Sequence, residues 1–217
     1  MLGHTHIAYG AAFAALSVHY GVAEPTVAFF LGVQIGSLAP DIDHPQAMIS
    51  KGTTSLVGKS GLFSHRGFTH SIEGILTGYL LMLYVLPWVG HLIDAGLLWV
   101  LGADSKVGET YVSTLSSVQG FLGTGFAWGF LIGCISHSFI DLFNKPGILL
   151  SSLFNFRFNF IGRITRINTG TYAELAFMIL GIVITFWIDL KTGLLSLLIA
   201  VIFWYLIGKP GFPKFRV

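Results

Sequence analysis

Apolar and polar positions fall in long blocks along this chain. One apolar run covers about residues 7–23 and stops at Pro25. A second covers about 26–39 and stops at Pro40, and a polar stretch, 41–66, follows it. Apolar residues resume over about 71–89, with Pro87 and Trp88 near the far end, and a shorter piece at 92–101 is expected to be too short to cross a bilayer. A fourth run covers about 118–142 and carries many glycines, which permit close helix approach in lipid. A second polar region, 144–172, precedes two last runs at about 173–190 and 194–207, joined by a turn at Lys191-Thr192-Gly193. A helix needs about 20 apolar residues to span the hydrocarbon core. The pattern therefore predicts an all-α, polytopic membrane protein of about six transmembrane helices in a single integral domain.

Composition agrees. Of 217 residues, 53% are hydrophobic and only 10% charged, and the mean hydropathy is +0.76, too apolar for an ordinary soluble domain. A net charge of +2 without a basic stripe argues against a nucleic-acid surface. Cys134 is the sole cysteine, so neither a disulfide framework nor a thiolate metal cluster is expected. No Lys or Arg precedes the first apolar run, and His4 and His6 stand where the basic region of a signal peptide would be.

Charge distribution orients the spans. With six crossings, Lys51, Lys59, Arg66, Lys145, Arg157, Arg163, Arg166, Lys209, Lys214 and Arg216 fall on one side, leaving Lys106 and Lys191 on the other. The positive-inside rule makes the populated side cytoplasmic, with both termini there. The expected location is the cytoplasmic membrane of a bacterium or archaeon.

The same topology gathers chemistry. His4 and His6 precede the first span; Asp41, Asp43 and His44 follow the second; His65 and His70 precede the third; His137 and Asp141 close the fourth; Glu174 opens the fifth. Each lies at the cytoplasmic end of its helix. His137 and Asp141, at i and i+4, share a helix face. Mixed imidazole and carboxylate donors without sulfur suit Zn, Mn or non-haem Fe. Taken singly, each has a simpler explanation: a loop cap at Asp41 and Asp43, a buried hydrogen-bonded pair at His137 and Asp141, a helix dipole at Glu174. Their convergence favours a shared divalent cation, or two.

Three stretches, Pro40-Asp41-Ile42-Asp43-His44, His65-Arg66-Gly67-Phe68-Thr69-His70-Ser71 and Ser136-His137-Ser138-Phe139-Ile140-Asp141, stand between Thr5-His6-Ile7 and Thr169-Gly170-Thr171-Tyr172-Ala173-Glu174. In this set and order the chain resembles the YdjM-like family of inner-membrane proteins described as metal-dependent hydrolases. The resemblance implies His6, Asp41, His65, His70, His137 and Asp141 as core positions, with Asp43, His44 and Glu174 beside them. His137-x-x-x-Asp141 is also similar to a ligand pair of zinc-dependent phospholipase C, which suggests a phosphoester substrate.

The expected activity is thus metal-dependent hydrolysis of a lipid or lipid-linked phosphate at the cytoplasmic leaflet, with Zn the foremost candidate. The expected ligands are His6, Asp41, His44, His65, His70, His137 and Asp141. Asp43 or Glu174 would bridge or act as base, and Arg66 would clamp the phosphate. The alternating basic and aromatic residues around Phe154–Phe160 would anchor an interfacial segment or hold an anionic headgroup. The competing expectation is a transporter or ion-binding protein using the same groups. Against it, the donors sit at one end of the spans rather than the midplane, where transport sites usually lie.

Overall fold

A computed structural model describes residues 1–44, 47, 67–101, 123–144, 147–159 and 167–206. Among these, six helical rods account for most of the chain. α1 is Gly3–His19 and α2 is Val27–Leu38; α2 runs on into a 3-10 turn, Ala39–Asp43. A second 3-10 turn, Phe68–His70, leads into α3, which is continuous through Ile72–Leu80, a π-helical turn at Leu81–Val85, and Leu86–Leu101. α4 is Thr124–Asp141, α5 is Tyr172–Ile188 and α6 is Leu190–Leu206.

Several boundaries differ from expectation. α1 begins at Gly3, so His4 and His6 lie on the helix rather than ahead of it. The 71–89 run and the 92–101 piece form one rod, through Pro87 and Gly90. Proline removes an amide and crowds the carbonyl four residues back; the π turn just before Pro87 widens the helix where that crowding falls. The last two helices meet at Asp189 rather than at Lys191-Thr192-Gly193. The Asp189 carboxylate accepts from the amides of Lys191 and Thr192 and from the Thr192 hydroxyl, which caps α6 one turn early.

The fold is not wholly helical. Ile148–Ser151 (β1) and Phe156–Phe158 (β2) form an antiparallel hairpin with an irregularity between Leu149 and Ser151. The hairpin falls inside the 144–172 polar region, and the Phe-Arg-Phe alternation of β2 has the period of a strand.

Among the described residues one rod, over Ile72–Leu92, is long and apolar enough to cross a membrane, and none of it is buried inside the protein. α5 and α6 are apolar helices of 17 residues each. The tightest contact joins α2 to α4. A Cβ built on Gly36 would lie 2.1 Å from the Phe130 carbonyl oxygen, and one on Gly133 would lie 2.2 Å from that of Val33. Gly32 and Gly129 show the same closeness to opposing backbone. Glycine at four-residue spacing on both helices lets their backbones touch. Around this pair, Ala14, Phe29, Phe30, Val33 and Ile199 form one core cluster, and Ile7, Leu38, Ala200 and Phe203 another. Successive helices run in opposite directions, so the starts of α1, α3 and α5 meet the ends of α2 and α4.

Candidate metal centre

At that meeting point lie two groups of donor atoms, each with its atoms within 4.8 Å of one another: His6, His137 and Asp141, and Asp41, His70 and His137. All but Asp41 are buried, and the Asp41 side chain is 17% exposed. His137 belongs to both groups.

The close α2–α4 contact sets the orientation of His137. One residue beyond Gly36, the Ser37 carbonyl lies 2.7 Å from His137 Nδ1. A carbonyl only accepts, so Nδ1 carries the proton and Nε2 is left with a lone pair. That Nε2 faces His70 Nε2 at 3.3 Å, Asp41 Oδ1 at 3.7 Å and Asp141 Oδ2 at 3.8 Å. His70 Nε2 lies 3.4 Å from Asp41 Oδ1 and 3.9 Å from Asp141 Oδ2. The His6 ring stacks on that of His137, with centroids 3.8 Å apart and planes 9° from parallel. Neither His6 nitrogen makes a hydrogen bond within the described residues, and Nε2 lies 3.6 Å from Asp141 Oδ1.

The far side of His70 is also held. Asp43 Oδ2 accepts a hydrogen bond from the Thr69 hydroxyl at 2.8 Å, and that hydroxyl lies 3.1 Å from His70 Nδ1. Asp43 Oδ2 itself is 3.8 Å from Nδ1. This is the carboxylate–imidazole arrangement that turns a histidine's other nitrogen toward a cation. Asp141 Oδ1 accepts from the Met1 amino group at 2.9 Å and from Asn144 Nδ2 at 3.2 Å, while Oδ2 faces the His70 and His137 imidazoles.

Electrostatics favours a positive guest. Two carboxylates and facing imidazole nitrogens in a buried volume leave lone pairs directed at one another, and a divalent cation relieves that. Nitrogen and oxygen donors, a fixed tautomer at His137 and the orphaned nitrogens of His6 fit a metal ion. They do not select which one.

Of the residues singled out from the sequence, the fold brings together His6, Asp41, His70, His137 and Asp141. His44 ends the 3-10 turn and belongs to neither donor group. His65 and Arg66 lie outside the described residues. Asp43 stands behind His70 instead of among the donors. Glu174 serves a different purpose from the bridging or basic one expected. It is fully buried and accepts from the Leu2 amide at 2.5 Å, the Thr5 hydroxyl at 3.0 Å and the Gly170 amide at 2.7 Å. α1 has no side-chain cap of its own, so Glu174 supplies acceptors for its start from another helix. Thr69, Asn144 and the Ser37 carbonyl are participants the sequence reading did not assign to the centre. Thr69 sits inside the His-rich motif and was legible in principle. A backbone carbonyl leaves no mark on the sequence.

No curated protein and no solved structure matches the chain. A family model does, over residues 1–211, and its description is YdjM inner membrane protein. With nearly the whole chain matched, and a rod long and apolar enough to cross a membrane beside a buried His/Asp cluster, this chain belongs to the YdjM inner membrane protein family.

Proposed function

We propose that this chain is a membrane-embedded, metal-dependent phosphoester hydrolase acting on a lipid or lipid-linked phosphate at the cytoplasmic face. The observation that carries the reading is the pair of donor groups sharing His137, four of the five donors buried and Asp41 partly exposed. In this reading six helices span the bilayer and both termini are cytoplasmic. His6, Asp41, His70, His137 and Asp141 would hold one or two ions, Zn first and Mn or Fe next. Held by these residues, such a cation would supply Lewis acidity for activating water.

The chain's own residues do the rest. Asp43 and Thr69 keep His70 Nδ1 engaged so that Nε2 points inward, and the Ser37 carbonyl does the same for His137. Asp41, the one of the five donors with partial exposure, would hold an entering water by a hydrogen bond. Arg66, four residues before His70, would clamp the phosphate. The donors stand at helix ends, which in this reading lie level with lipid headgroups; that favours a headgroup phosphate over a soluble ester and weighs against a midplane transport site.

The test is phosphate release from phospholipid or polyprenyl phosphate by protein in nanodiscs supplied with Zn2+ or Mn2+. His137→Ala and Asp141→Ala are expected to abolish it while the protein stays monodisperse. Hydrolysis that survives both substitutions, or His137-dependent ion flux in proteoliposomes without any hydrolysis, would overturn the reading.

A further inference from the structure

We propose that the β1–β2 hairpin is a second membrane attachment, its tip seated at the boundary of headgroups and acyl chains in the leaflet where α3 begins. Leu153, Phe154 and Phe156 at the tip are 77%, 84% and 53% exposed, whereas Ile148 and Leu149 at the base are buried. An apolar tip on a buried base is a shape for inserting, not for folding inward.

The depth of the tip is fixed by α3. Glu73, in the first turn of that helix, accepts from the Ser151 hydroxyl at 2.5 Å and from the Ser152 amide at 3.1 Å. Phe154 is two residues past Ser152, so at about 3.3 Å per residue it lies within about 7 Å of that anchor. The interfacial zone on each side of a bilayer's hydrocarbon core is about 5–7 Å thick. A tip tied to the start of a membrane-crossing rod is therefore held within about one interfacial thickness of that start. On α3 itself, Ile72, Leu76 and Leu80 are each about half exposed, an apolar row suited to lipid. Arg157, exposed on β2, suits the phosphates of the same leaflet.

The turn is already formed. Asn155 adopts the left-handed region, with φ 49°, and the Phe154 amide donates to the Ser151 hydroxyl at 3.2 Å. Insertion then orders little that is not ordered already. The proposal rests on membrane placement alone, so its failure and that of the hydrolase reading are separate events.

The experiment is a nitroxide at Phe154→Cys in lipid nanodiscs, read by power saturation against oxygen and a water-soluble nickel chelate. The native Cys134 is buried, which directs the label to the tip. Labels at Leu76→Cys, on the α3 lipid row, and at Glu24→Cys, exposed in the turn between α1 and α2, give the two extremes. The label at 154 is expected to be several-fold less accessible to nickel than the one at 24, and to favour oxygen as the one at 76 does. Equal nickel access at 154 and 24, with the thermal transition unchanged, overturns the proposal. So does spin–spin broadening at 154 that vanishes on dilution with unlabelled protein, which would assign the tip to a second copy.

Discussion

Gly36→Ala tests whether the α2–α4 contact sets the geometry of the metal centre. The new Cβ would lie 2.1 Å from the Phe130 carbonyl oxygen. Tolerated carbon–oxygen approaches begin at about 3.3 Å, so the helices must part locally by about 1 Å. Ser37 is the next residue, and its carbonyl lies 2.7 Å from His137 Nδ1. The same displacement stretches that contact to about 3.7 Å, which no longer counts as a hydrogen bond. His137 then loses its fixed tautomer, and both donor groups lose their shared member. Losing a partner of this kind typically weakens metal binding by about 10–100-fold, or about 1.4–2.8 kcal/mol. The assay is competition of detergent-purified protein for Zn2+ against a fluorescent chelator, with thermal melting in parallel. Gly133→Ala should behave like Gly36→Ala. Gly125→Ala is the control, because its Cβ would meet nothing closer than Thr26 Oγ1 at 3.5 Å. It should keep full affinity and gain a little helix stability. A Gly36→Ala protein that binds Zn2+ as tightly as wild type would refute the argument.

Three further outcomes are expected. Removing metal with a chelator should lower the melting temperature, and restoring Zn2+ at 100 times its Kd should return about 2.7 kcal/mol, roughly 5–10 °C for a chain of this size; identical melts with and without Zn2+ would contradict the centre. Asp43→Asn should reduce Zn2+ affinity roughly tenfold or more by loosening His70 with little change in melting, and a collapse of the fold instead would make Asp43 structural. Glu174→Ala leaves the Leu2 and Gly170 amides and the Thr5 hydroxyl without their acceptor, so it should cost about 3 kcal/mol or more of stability, whereas unchanged melting would remove its assigned role at the start of α1.

The amino-acid sequence by itself determined the helical class, the approximate position of most helices, and five of the residues that meet at the centre. Apolar run length and the placement of charge are properties of the chain read locally, and polar groups at run ends must share a layer once the runs stand side by side. What the tertiary structure decided is which of those groups touch. Asp43 and His44 are neighbours in sequence, yet one backs His70 and the other joins neither donor group, because a 3-10 turn points successive side chains in different directions. Glu174 carries the same carboxylate as Asp141 but faces the Leu2 amide and the Thr5 hydroxyl at the start of α1, Leu2 being 172 residues away from it. The hairpin and the unbroken α3 depend on contacts, Glu73 with Ser151 and the π turn before Pro87, whose strength is not encoded in residue type. The tautomer of His137 rests on a main-chain carbonyl brought close by glycines on two helices, and only the folded chain sets that distance.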